Sequence, residues 1–146
     1  MTYYIDQSGK IEDSHRLTVV AVANGITKTI IINASEKQKL LTSMRVLDYP
    51  QKLYIYKIFA GLIYLLLKDI TAQQIIIDEE YPGHEVTIKN YLLNLYQNQR
   101  QSCPTIDFSN IGKNSPAHKS AILTFRKKIK PDIIVKAKHI LKLFYV

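Results

Sequence analysis

Residues 17–33 read LTVVAVANGITKTIIIN, and this stretch decides the fold. Two runs rich in β-branched residues, 17–23 and 27–33, flank the dipeptide Asn24-Gly25. Asn-Gly between two such runs is the strongest short-range signal for a β-hairpin. The similar run at 2–6 (TYYID) predicts a strand before the hairpin, so we expect an antiparallel meander of three strands.

Helices alternate with strands after the meander. The isoleucine run in 73–78 (QQIIID) predicts a strand buried on both faces, hence parallel and central. A short strand is expected at 105–108. Apolar residues at helical spacing predict helices over 35–47, 50–68, 84–97, 115–128 and 133–144. This order predicts an α/β fold: a mixed five-stranded sheet, with the meander plus two parallel strands and helices on both faces, in a single domain over 1–146.

Composition narrows the class of protein. The chain has 146 residues, of which 47% are apolar and 22% charged, as in an ordinary globular domain. Cys103 is the single cysteine, which excludes an intramolecular disulfide and a cysteine-rich zinc site. The longest uncharged apolar stretch, 58–67, is about half of the roughly 20 residues that a membrane span needs. We expect a soluble, cytoplasmic protein that does not contact a membrane.

The positive charge is concentrated at one end. Residues 113–146 contain nine basic residues and one acidic residue, which accounts for the whole net charge of +8. Such a field favours a polyanionic partner, and lysines contact phosphates without reading bases. A solvated, lysine-rich surface is the alternative. The expected nucleic-acid-binding residues are Lys119, Arg126, Lys127, Lys128 and Lys130.

Two carboxylates end predicted strands. Asp6 closes the first strand and Asp78 the fourth. If these strands are parallel neighbours, both side chains emerge at the same edge of the sheet, where α/β folds usually place their sites. Mg²⁺ is typically held by one or two carboxylates plus phosphate oxygens, and such a cation promotes phosphodiester cleavage. The alternative is that both residues only cap turns.

The element order, with Asp at the ends of strands one and four, resembles the ribonuclease H-like superfamily of ribonucleases, resolvases, transposases and integrases. The opening 4–9 (YIDQSG) is also similar to an uncharacterised branch that begins with a strand, Asp-Glu-Ser-Gly and a hairpin. The resemblance implies Mg²⁺ or Mn²⁺ as cofactor, with Asp6 as the ligand shared by two cations and Asp78 as the second ligand. His118, three residues after the predicted helix cap Ser115, takes the place of the last ligand. Asp6, Asp78 and His118 are then the catalytic residues.

One departure from that superfamily concerns a glutamate. Many members carry it on the first long helix, whereas 50–68 contains no carboxylate. Glu79, Glu80 or Glu85 can supply the missing charge, and Glu79 is the one that we include among the expected metal ligands.

Three functions are therefore open. The leading one is a metal-dependent nuclease acting on DNA or RNA. The second is a protein of the same fold that binds nucleic acid without cutting it. The third is a homo-oligomeric assembly protein that pairs through the apolar helix 50–68.

Overall fold

The computed structural model describes residues 1–49 and 53–145. Six strands and five helices lie in this part of the chain. Their bounds are β1 Thr2–Ser8, β2 Thr18–Asn24, β3 Ile26–Ile32, α1 Ala34–Leu47, α2 Tyr54–Leu67, β4 Gln74–Asp78, α3 Glu85–Asn98, β5 Thr105–Ser109, α4 Pro116–Phe125, β6 Ile133–Val135 and α5 Ala137–Phe144.

The α/β class and the mixed sheet are confirmed. The strand order is β5-β4-β1-β2-β3-β6, so β1 lies between β2 and β4. β1 pairs antiparallel with β2 and parallel with β4, and β4 pairs parallel with β5. Ile5 lies opposite Ile77, which brings the following residues, Asp6 and Asp78, to the same edge of the sheet.

The predicted number of five strands is wrong, because residues 133–135 form a sixth strand instead of the start of the last helix. β6 pairs parallel with β3 at the edge of the sheet. The side chain of Asp132 fixes this pairing, since its Oδ2 accepts from the amide of Thr29 at 2.8 Å. Three successive β-branched residues favour a strand once such an edge is available.

Helices cover both faces of the sheet, as predicted. Side chains alternate between the faces along each strand. Val20, Val22, Ile30 and Ile32 belong to the larger core, which also includes side chains of α1, α2, α3 and α5. α4 packs on the opposite face, where Ala121 joins a smaller cluster of Val19, Ala21 and Ile31.

β4 is less buried than its isoleucine run predicts. Ile75 and Ile77 are fully buried in the larger core, but Ile76 on the opposite face is only half-buried. The expectation of a strand buried on both faces is therefore wrong, although β4 is parallel and central. The uncovered face results from the position of α4, which packs on β1, β2 and β3.

The apolar helix α2 is buried within the chain itself. Phe59, Leu62, Ile63, Leu66 and Leu67 are at most 1% exposed. The predicted start of this helix at Pro50 lies outside the described residues. Within residues 1–49 and 53–145, no helix combines the length and the apolar character that crossing a membrane requires.

Candidate metal centre

Asp6 and Asp78 lie side by side on the face of the sheet that α4 covers in part. Asp6 is 2% exposed, and its Oδ1 accepts from the amide of the next residue, Gln7, at 2.8 Å. Asp78 is half-buried, and its Oδ1 accepts from the amide of Ile111 at 2.9 Å. Each carboxylate is therefore oriented by a backbone donor.

Glu80 completes a group of three carboxylates. One ligand oxygen from each of Asp6, Asp78 and Glu80 lies within 4.8 Å of the other two. The backbone after β4 explains the position of Glu80. The Glu79 amide donates to the carbonyl of Ser109 at 3.1 Å and extends the β4–β5 ladder, and the Glu80 amide then donates to the carbonyl of Asp78 at 2.8 Å. This tight turn keeps Glu80 at the strand ends and leaves Glu79 exposed.

His118 reaches the group from the first turn of α4. Its Nδ1 lies 2.8 Å from Oδ2 of Asp6. Ser115 caps the helix as predicted, because its Oγ accepts from the His118 amide at 3.1 Å. An ionised carboxylate only accepts hydrogen bonds, so Nδ1 carries the proton when Asp6 is charged. In this arrangement His118 orients a carboxylate, and its Nδ1 is not free to bind a cation.

A second contact ties the ends of β1 and β4 together. Gln7 Nε2 donates to the hydroxyl of Tyr81 at 3.0 Å. The Tyr81 ring packs edge-on against Phe59, with ring centres 5.2 Å apart, and so anchors the loop after β4 on α2. Because Gln7 follows Asp6 and Tyr81 follows Glu80, this contact fixes the position of the Glu80 segment relative to that of Asp6.

Crowding and burial raise the proton affinity of the group. Burial raises the pKa of Glu80 to about 8, and the charges of Asp6 and Asp78 add to the rise. The pKa of Asp6 is also raised: burial is the main cause, the Gln7 amide and His118 oppose it, and the charge of Asp78 adds to it. Carboxylates this close need a proton or a cation between them.

The donor set fits a hard divalent cation. Three carboxylates that can converge on one point are ligands that Mg²⁺ and Mn²⁺ prefer, and oxygen ligands are the only ones the group offers. The structure thus brings together Asp6 and Asp78 of the predicted ligands, with His118 beside them. It selects Glu80 among the three glutamates considered. Both carboxylate oxygens of Glu85 instead accept from the Gly83 amide, at 2.9 and 3.2 Å.

The predicted phosphate-binding residues lie on α4 and just beyond it. All are exposed. α4 begins beside Asp6 and rises about 1.5 Å per residue, so the basic cluster at its end starts roughly 12 Å from His118 along the helix. Lys127 adopts a left-handed conformation with φ of 61°. The set comprises Lys119, Arg126, Lys127, Lys128 and Lys130.

The sequence matches no protein-family model and no curated protein. The carboxylate group and its surroundings are therefore the features that bear on function.

Proposed function

We propose that this chain is a divalent-metal-dependent nuclease, a phosphodiester hydrolase of the ribonuclease H-like kind. The observation that carries the proposal is the convergence of three carboxylates from β1 and the end of β4, with ligand oxygens within 4.8 Å of one another. The central β1, flanked by antiparallel β2 and parallel β4, is consistent with that superfamily.

The proposed division of labour follows from the contacts. Asp6, Asp78 and Glu80 would hold Mg²⁺ or Mn²⁺. When bound, such a cation supplies an activated water and stabilisation of the leaving oxygen. His118 keeps Asp6 oriented through Nδ1. Glu80, with a pKa of about 8, holds a proton near neutral pH until a cation replaces it.

The exposed basic end would bind the substrate backbone. Residues 113–146 carry the entire net charge of +8, whereas the rest of the chain is neutral. Phosphate contacts of this kind give affinity for DNA or RNA with little dependence on base sequence. Binding and cleavage are thus assigned to two adjoining parts of the molecule.

A nucleic-acid-binding protein without cleavage activity is the second candidate. The raised pKa of Glu80 favours it, because a proton can compensate the crowded carboxylates without any cation. A homodimer through segment 50–68 has less support, since the apolar side chains of α2 pack in the chain's own core.

Cleavage by the Asp6→Asn variant tests the leading proposal. Wild type should cleave end-labelled single-stranded or duplex nucleic acid in Mg²⁺ or Mn²⁺, and Asp6→Asn should not, because asparagine keeps the shape and removes the charge. Asp69→Asn is the matched control: Asp69 is exposed just after α2 and is not part of the carboxylate group. Equal cleavage by wild type and Asp6→Asn would overturn the proposal. Binding without cleavage in every divalent cation would favour the second candidate.

A further inference from the structure

The carboxylate group borders an open part of the sheet. On the face that carries Asp6, α4 packs over β1, β2 and β3. The side chains that β4 and β5 present on this same face are half-buried or exposed. The sheet face next to the carboxylates is therefore accessible to solvent on β4 and β5.

Polar side chains cover most of this open face and bond to one another. Thr2 Oγ1 donates to Gln74 Oε1 at 3.1 Å, and Gln74 Nε2 donates to Asp107 Oδ2 at 2.6 Å. This ladder crosses β1, β4 and β5 and is satisfied without a partner. One aromatic side chain lies on the same face, beside this ladder, and does not pack in the core.

Tyr4 is that ring. It is 42% exposed and lies two residues before Asp6, so both side chains project from the same face of β1. Two residues of strand place the Tyr4 side chain about 6.6–6.8 Å from that of Asp6. Its neighbours across the sheet are Ala23 on β2 and Ile76 on β4. A small and a half-buried apolar side chain thus flank an accessible aromatic ring.

We infer that Tyr4 is a base-stacking residue, and that the substrate of the carboxylate site is single-stranded nucleic acid crossing the open sheet face. The inference rests on the proposed function. A base stacks on an aromatic ring only when it is free of its own strand's stack, which single strands allow and a closed duplex does not. Tyr4 lies two residues from Asp6 on the same face of β1. This spacing would place a base on Tyr4 when the phosphate of the neighbouring nucleotide is at the carboxylates. Stacking tolerates every base, in keeping with backbone contacts that do not read sequence.

The absence of tryptophan from the sequence gives a direct test. Tyr4→Trp introduces a single indole, whose fluorescence should be quenched when a base stacks on it. The matched control is Tyr49→Trp, because Tyr49 is 79% exposed just after α1, on the other face of the sheet. The probes are a short oligothymidylate and the same strand in a duplex with its complement. Ca²⁺ replaces Mg²⁺ as a hard oxygen-binding cation, and a gel confirms that the probes stay intact.

Quenching should occur for Tyr4→Trp with the single strand, and neither for the duplex nor for Tyr49→Trp. In a parallel binding titration, Tyr4→Ala should lose about five- to 150-fold in affinity for the single strand, the range expected for one stacked base. Its affinity for the duplex should stay that of wild type.

Two kinds of failure are distinguishable. If wild type binds the single strand and Tyr4→Ala binds it equally well, or loses the duplex to the same extent, the stacking role is wrong and the proposed function stands. If wild type binds neither these DNA probes nor the same two probes made of RNA, the proposed function fails and the inference with it. Should Tyr4→Ala fail to fold, the unquenched emission of a folded Tyr4→Trp would overturn the inference by itself.

Discussion

His118 Nδ1 lies 2.8 Å from Asp6 Oδ2, although 112 residues separate the two in the chain. The contact joins the first turn of α4 to β1, an interior strand of the sheet. It opposes the effect of burial on Asp6, because a donated hydrogen bond favours the charged carboxylate. The charge that would hold a cation therefore depends on a residue from the distant end of the sequence.

Replacing His118 should change the titration of Asp6. In His118→Ala the carboxylate keeps the Gln7 amide as a partner but loses the imidazole, so the pKa of Asp6 should rise further above its ordinary value. NMR titration of the side-chain carboxyl resonances measures this pKa directly. Lys119→Ala, at the exposed neighbouring position, is the control and should leave the pKa unchanged. An unaltered Asp6 titration in His118→Ala would contradict the assigned contact.

Stability should fall as the pH rises towards 8, because of Glu80. Its folded pKa is raised to about 8 from an ordinary 4.5, so the folded protein binds more protons than the unfolded chain between these values. The free energy of unfolding then decreases with pH across that window, with a slope of at most about 1.4 kcal/mol per pH unit. Urea denaturation of wild type and Glu80→Gln measures it.

The neutral amide of Glu80→Gln should remove most of the slope and make the variant more stable than wild type near pH 8. Glu79→Gln is the matched control, since Glu79 is adjacent and exposed. A pH profile of Glu79→Gln as flat as that of Glu80→Gln would show that the effect is not specific to the carboxylate group.

The sheet was largely predictable, because its signals are local. Asn24-Gly25 and its two flanking runs predicted the hairpin, and the isoleucine run predicted a parallel, central β4, which the structure places beside β1. β6 was not predictable in this way. Ile133–Val135 fits either a strand or the apolar face of a helix, and the choice depends on Asp132 finding Thr29, 103 residues away in the chain.

The site was predictable to the level of strand ends. Asp6 and Asp78 follow directly from the order of the strands. The choice of Glu80 over Glu79 depends on the turn in which the Glu80 amide bonds the Asp78 carbonyl. Residues 78 and 80 project to the same side of an extended chain, so the sequence could have indicated Glu80. The turn that keeps Glu80 on that side could not be read from the sequence.

Replacing Gly9, which follows β1, should cost more stability than replacing Gly25, which lies in the turn between β2 and β3. Its φ is +80°, and a Cβ there would overlap the Leu17 carbonyl and lie 2.6 Å from a Phe125 ring carbon. Gly9→Ala should cost about 3 kcal/mol or more, from the left-handed backbone and the overlap together. Gly25→Ala is the control, with φ of +75° and open space around it, and should cost about 1–2 kcal/mol. Equal losses in urea denaturation would mean that the packing of α4 on β1 is looser than described.

Removing the basic cluster should weaken binding for all nucleic-acid sequences alike. Each lost phosphate contact reduces the dependence of log affinity on log salt by about 0.9 for duplex or about 0.7 for single strands. A quadruple change to glutamine should therefore flatten the slope by up to a few units. Stability should change little, because the replaced side chains are exposed. The residues changed are Arg126, Lys127, Lys128 and Lys130.

The control for that experiment removes the same number of charges elsewhere. The control positions are exposed and lie on α1, just after α2, and on α3. A salt titration in which both quadruple variants lose affinity equally would mean that net charge, and not the basic end, governs binding. The control residues are Lys39, Arg45, Lys68 and Lys89.

The left-handed backbone of Lys127 should lower the free energy of unfolding, while its charge contributes to nucleic-acid binding. Its φ is 61°, and it follows the C-cap Arg126 of α4, a position where glycine is favoured. Arg100 occupies the equivalent position after α3 with φ of 55°, following the C-cap Gln99. Glycine relieves the left-handed strain, so Lys127→Gly and Arg100→Gly should each raise the free energy of unfolding by about 1 kcal/mol.

The two variants should differ in binding, because their charges lie at the ends of different helices. Lys127→Gly should lose about one phosphate contact from the salt slope, about 0.7–0.9, whereas Arg100→Gly should bind as wild type. Urea denaturation and a salt titration of the same two preparations measure both effects. If Lys127 contributes its charge to binding in spite of its strained backbone, Lys127→Gly should be more stable than wild type and should bind nucleic acid less tightly. A gain in stability with unchanged affinity would remove Lys127 from the nucleic-acid interface.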